Sequence, residues 1–295
     1  MLQPVKRSRL RVLAGTVYYK SRRYMKWYLS STRWAKTFQQ KDLDHLIFRH
    51  QTPLVRKLKD VDMWMQYNKI ENLKIASSKL NGLLVYPGET FSFWRMVGKT
   101  TRRKGYKKGM VLSYGRVFAE VGGGLCQLTN LLYWMTLHTP LQVTERYRHS
   151  YDVFPDADRK LPFGSGATCA YNYIDLQVYN PTDQAFQLLV YLTEENLVGE
   201  WRAEHEPECS YEVYQKDHWI TQEFWGGYVR HNLIYRKVFG ADHELLRDEY
   251  VTENHAIMMY PPFLEEGSNS RSSRVGKQAT ADGGNSVSGG DIPLT

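Results

Sequence analysis

The apolar positions of this chain change period several times. Leu128, Leu131, Leu132 and Met135 recur at the i, i+3, i+4, i+7 spacing of one helical face. The helix they predict starts abruptly after Gly122, Gly123 and Gly124. At about 100° per residue, Cys126 falls off that stripe, on the side of Asn130 and Tyr133. A second helix is predicted over 66–81, with Ile70, Leu73, Ser77 and Leu80 on one face and Gly82 as its stop. β-type runs occupy 83–86, 91–94 and 141–147, with a longer alternating run at 167–180. Hairpins are predicted at 110–121, turning at Tyr114-Gly115, and between 185–193 and 197–204. Residues 1–62 read as helical with breaks, Pro53 being one. Residues 207–262 read as short aromatic-rich strands between turns.

Together these elements predict an α+β fold. A mixed or antiparallel sheet surrounds a central cysteine-bearing helix, with N-terminal helices and a small C-terminal β appendage. The expected organisation is a basic helical region at 1–65, an α+β domain at 66–200, a β-rich appendage at 201–263 and a disordered tail at 264–295. In that tail Gly and Ser dominate, and too few apolar residues remain to bury a core.

Composition adds constraints. The hydrophobic content of 42% suits a folded core, and 21 Tyr with eight Trp favour β structure. No run of 18 apolar residues exists, so no membrane-spanning helix is expected. The first apolar patch is short and closely followed by Lys20, Arg22 and Arg23, unlike a signal peptide. The expectation is a cytoplasmic protein, or one peripheral on the inner face of the membrane. Cys126, Cys169 and Cys209 are odd in number and widely spaced, which gives neither a disulfide framework nor a zinc pattern. No metal or other cofactor is expected.

The net charge of +8 is concentrated. Residues 1–40 hold ten Lys/Arg and no acid, interleaved with Tyr18, Tyr19, Tyr24, Trp27, Tyr28 and Trp34. Leu10, Leu13, Val17, Tyr24 and Tyr28 share a rough helical face. Such an arm suits an anionic membrane surface or a docked helix with a solvated basic side. Nucleic acid is the weakest reading, because no recognition motif accompanies the charge.

The candidate chemistry centres on Cys126. A thiol at a helix N-terminus meets free N–H groups and a macrodipole that favour its thiolate, as an activated nucleophile requires. A packed, inert thiol is the alternative. The loop is no phosphate-binding Walker loop, since Leu125, Cys126 and Gln127 replace the Gly-Lys-Ser/Thr ending. His149, at a strand end 23 residues on, is the candidate base. Asp175 is the candidate orienting acid, with Asp152 and Glu145 as competitors. His138 reads as a cation capping the far end of the cysteine helix. N–H groups of the Gly122, Gly123, Gly124 and Gln127 turn would hold an oxyanion.

The segments NGLLVYPGETFSFWRMVGKTTRRKGYKKG, VFAEVGGGLCQLTNLLYW, ERYRHS and GATCAYNYIDLQVYNPTD resemble the VanW family in order and spacing. The resemblance covers residues 66–200, and the helical lead-in and aromatic C-terminal part resemble short members found beside glycopeptide-resistance genes. Larger relatives are associated with L,D-transpeptidase activity on peptidoglycan, using the cysteine of a GGGxCQ motif. The resemblance therefore implies Cys126 as nucleophile, His149 as its partner, and peptidoglycan or its precursor peptides as substrate. The rival expectation is a non-catalytic module that binds a precursor or a partner enzyme at the membrane. Two positions depart from the family pattern. Tyr147 stands at the first His of E-R-H-x-H-S, and Gly166 stands where relatives carry Asp before Ala-Thr. The second departure leaves Asp175 as the best match for a third member.

Overall fold

The computed structural model describes residues 8–55, 62–113, 116–153 and 161–262. The expected turn at Tyr114-Gly115 and the expected tail lie outside them. The fold is α+β, with its strands in mixed and antiparallel sheets.

α4 (Cys126–Leu137) is the central element. Its apolar stripe is as expected, but Tyr133, Trp134, Thr129 and Thr136 are buried as well. Only Asn130 on this helix is exposed. A helix enclosed on nearly all sides needs layers around it.

One layer is a five-stranded sheet in the order β2 (Thr37–Phe38), β4 (Leu83–Val85), β11 (Phe186–Leu192), β12 (Asn196–Ala203), β3 (His45–Pro53). β11 and β12 form the expected hairpin, and both are buried on both faces over most of their length. Gly199 lets α4 approach β12 closely, since a Cβ there would stand 2.6 Å from the Met135 methyl. A second sheet has the order β1 (Arg33–Trp34), β5 (Glu89–Ser92), β10 (Gln177–Tyr179), β8 (Gln142–Glu145). The hairpin β6 (Lys108–Ser113) and β7 (Arg116–Val121) leads into the glycine turn, with α2 (Met63–Ser77) packed on β6.

Four expectations change. Residues 1–62 are not helical throughout: α1 (Arg9–Leu29) is followed by β1, β2 and β3, and β3 completes the five-stranded sheet. The run 91–94 divides, and Phe93–Val97 becomes the short helix α3. Ser92 caps it by accepting from Arg95 N, while the Asp175 carboxylate accepts from Trp94 N at 3.0 Å. The run 167–180 is a strand only at β10; before that the chain turns, pairing Tyr147 with Thr168 and Ala170 with Ile174. Lastly, the short aromatic runs after 207 are three long strands, β13 (Ser210–Gln222), β14 (Tyr228–Phe239) and β15 (Leu245–Met258). Bulges at 215–217, 234–235 and 238–239 break their alternation, which is why they look short in sequence. β15 also pairs in parallel with β9 (Tyr151–Asp152), tying the C-terminal sheet to the segment that carries His149.

Candidate active site

The glycine turn is shaped by neighbours that leave no room for side chains. Gly122 and Gly124 have φ of 83° and 92°, where glycine is unstrained. A Cβ on Gly123 would lie 2.1 Å from the Gly109 carbonyl oxygen. Asn72 of α2 fixes the crossing: its amide donates to Lys107 O and Gly123 O, and its oxygen accepts from Lys107 N. The turn thereby delivers Cys126 as the first residue of α4.

Cys126 is half-buried, and its sulfur stands 3.9 Å from that of Cys169. Nothing in the spacing of these cysteines announced the contact. It arises because two side chains of the first turns of α4 grip the segment before Cys169. Thr129 donates to Ala167 O at 2.6 Å, and Asn130 accepts from Ala167 N at 2.8 Å. Gly166 belongs to the same grip, since a Cβ there would sit 2.5 Å from the Asn130 oxygen. Gly166 thus makes room for Asn130.

The two thiols share their protons unequally. A hydrogen bond from Cys169 holds the Cys126 thiol well below its ordinary range. His149 stands near enough to favour the Cys126 thiolate further, by hydrogen bonding and by charge. Cys169 is pushed well above the ordinary thiol range by the same contact, so it is the donor of the pair. A thiol held low at a helix N-terminus beside an imidazole is an arrangement that favours a nucleophilic cysteine.

His149 is carried by a segment clamped from the C-terminal sheet. Arg146 donates to Gly164 O, to Gly166 O at 2.9 Å and to Asn254 Oδ1 at 3.1 Å, and its guanidinium lies 4.7 Å from the Tyr133 ring centre. Arg148 donates to His255 O at 3.0 Å. Ser150 O and Asp152 O accept from Ile257 N and Met259 N. The imidazole is therefore bracketed in sequence by anchors on both sides, of which Asn254, His255, Ile257 and Met259 belong to the C-terminal part of the chain.

The other expected site residues are placed differently. Asp175 is fully buried, and its carboxylate accepts from Ser92 Oγ, Trp94 N, Leu176 N and Gln177 Nε2. Burial pushes its pKa up, and none of those four donors is His149. Its visible work is to start α3 and join it to β10. Of the competitors, Glu145 holds Arg23 and Asp152 accepts from Tyr260, so both are engaged structurally. The Gly122 and Gly123 N–H groups already donate to Lys107 O and Glu120 O, and that of Gln127 to Gly124 O. The Gln127 side chain turns to β3, donating to Thr52 Oγ1 and Pro53 O at 2.9 Å. Among the described residues, the N–H groups of this turn with no backbone acceptor are those of Gly124, Leu125 and Cys126. His138 is not a cationic cap: burial pushes its pKa down to about 4, it stacks 3.9 Å from Phe48, and its Nδ1 bonds Tyr211 O. Among the described residues no cluster of three or more His, Cys, Asp or Glu is arranged to hold a metal.

Fold and site together define an α+β protein with a thiol–imidazole pair at the head of its central helix. The model of the family described as VanW like protein matches residues 68–202. The chain is 35% identical to the vancomycin B-type resistance protein VanW of Enterococcus faecalis over 77% of its length and 83% of that protein. The chain belongs to the VanW family. It is also 32% identical to the uncharacterized protein YoaR of Bacillus subtilis, over 40% of this chain and 37% of that one. No solved structure gives a significant match.

Proposed function

We propose that this chain is a cysteine-dependent acyltransferase for the stem peptides of peptidoglycan or of its precursors, acting in glycopeptide resistance. The observation that carries this reading is the convergence of Cys126, Cys169 and His149 at the N-terminus of α4. The resistance label of the Enterococcus faecalis relative supports the cell-wall setting.

In this reading the Cys126 thiolate attacks a peptide carbonyl carbon, and the oxyanion takes the N–H groups of Leu125 and Cys126. The carbon–nitrogen bond then breaks, His149 gives a proton to the leaving amine, and a thioester remains on Cys126. An acceptor amine attacks the thioester, passes its proton to His149, and restores the thiolate.

The test is incubation of the purified protein with muropeptides, read by mass spectrometry. Exchanged or crosslinked products, with an acyl adduct on the Cys126 peptide, are expected. Cys126→Ala should abolish both. A folded protein that binds muropeptides or lipid-linked precursors but transforms neither would replace this reading with that of a non-catalytic accessory module. The engagement of the Asp175 carboxylate away from His149 is what keeps that second reading in view.

A further inference from the structure

α1 meets the body of the protein through its C-terminal half, where the Tyr24 hydroxyl bonds that of Tyr171 at 3.0 Å and the Arg95 guanidinium lies 5.5 Å from the Tyr28 ring centre. Arg23 and Trp27 are buried there; Arg23 pairs with Glu145 and donates to Asn172 O, and Lys26 donates to Gln177 Oε1. At about 100° per residue, Leu10, Val17, Tyr18, Met25 and Tyr28 fall within an arc of about 100° on the side away from Arg23, and Leu13 flanks them towards Trp27. Each of the six is more than half exposed. Arg11 and Arg22, both exposed, border the arc on one side.

This inverts the usual design of a surface helix, in which the outer face is polar. Six large apolar side chains along one helix form a patch that a monomer in water would bury. Two occupants could cover it. A second copy would bring two such helices together, each from a segment with ten Lys/Arg and no acid in residues 1–40. An anionic lipid surface meets both requirements at once, taking the apolar arc into the acyl boundary and the arginines at the headgroups.

We propose that α1 is an interfacial helix that seats this protein on an anionic lipid surface, with the Leu10–Tyr28 arc facing the bilayer. The helix lies in the plane of the surface and does not cross it; no described helix is long and apolar enough to span a membrane. The proposal stands on the helix alone and is independent of the acyl-transfer reading.

The experiment is sedimentation of the full chain with vesicles of equal parts phosphatidylglycerol and phosphatidylcholine, or of phosphatidylcholine alone. Two variants accompany it: Leu13→Glu/Val17→Glu/Met25→Glu on the arc and its Leu13 flank, and Arg11→Glu/Arg22→Glu at its border. Alkylation of Cys126 at an unchanged rate verifies that each variant is folded. Binding to anionic vesicles at low salt is expected, weakened by added salt and about tenfold or more by either variant. Absence of binding at low salt, or binding that neither variant weakens, overturns the proposal. So does a dimer in solution that the arc variant splits while vesicles stay unbound, which assigns the face to a second copy. Tighter binding to duplex DNA than to the vesicles also overturns it.

Discussion

The sulfur of Cys169 stands 3.9 Å from that of Cys126, and it is the neighbour that most strongly holds the latter below the ordinary thiol range. Between that lowered value and the ordinary one, Cys126 is a thiolate in the native protein. Cys169→Ala removes the donor and lets the Cys126 pKa rise, so the thiolate fraction in that window falls. Iodoacetamide should label Cys126 at pH 6.5 faster than Cys169 or Cys209, and Cys169→Ala should slow that labelling by about tenfold for each unit by which the Cys126 pKa then exceeds the labelling pH. Cys169→Ser, which keeps a donor, should recover part of the rate. An unchanged pH profile in Cys169→Ala would sink this account of the pair.

His138 gives the protein an acid-sensitive joint. Its folded pKa of about 4 lies below the unfolded value near 6.5, because burial excludes the charged form. The unfolded chain therefore binds more protons between those values, and stability is lost as the pH falls from about 6.5 towards 4. The loss from this group should amount to about 2–3 kcal/mol. Urea unfolding midpoints measured across that range should show it. His138→Phe, which keeps a stacking ring against Phe48, should flatten that part of the profile.

Arg146 joins α4, the 164–166 turn and β15. Arg146→Ala leaves two carbonyls and the Asn254 oxygen without their donor, at a cost of about 3 kcal/mol. It also frees the segment that holds His149. Chemical denaturation should report the first effect. A slower Cys126 alkylation at neutral pH, in protein still folded by circular dichroism, should report the second.

Gly123→Ala tests the crossing beneath the turn. The added methyl would stand 2.1 Å from the Gly109 oxygen, a backbone atom that cannot swing aside. The hairpin must separate from the head of α4, and a loss above about 3 kcal/mol is expected by thermal unfolding. Gly15→Ala, where no atom lies within 4 Å of a new Cβ, is the matched control and should be neutral or slightly stabilising.

What could be read from sequence is what local periodicity encodes. α4, α2 and the β11–β12 hairpin stand close to where their patterns put them, because each buries a face that its own spacing defines. The thiol at the helix head was legible for the same reason. The run 91–94 was not: its aromatics suit a strand, and the carboxylate that starts a helix there comes from residue 175. Cys169 joins the site only through Thr129 and Asn130, a tertiary contact with no local trace. Arg146 sat in plain view beside His149, yet its role depends on carbonyls that the chain brings together only on folding.

The clamp on the His149 segment has a consequence for where this molecule ends in a physical sense. The family match closes at residue 202, but the strand that holds the imidazole's neighbourhood runs from Leu245 to Met258. A fragment trimmed to the matched region would keep the reactive sulfur and lose the rail along which its partner is aligned. Kinship measured by residue pattern and independence measured by mechanics therefore draw different borders here, and experiments on the thiol should follow the second.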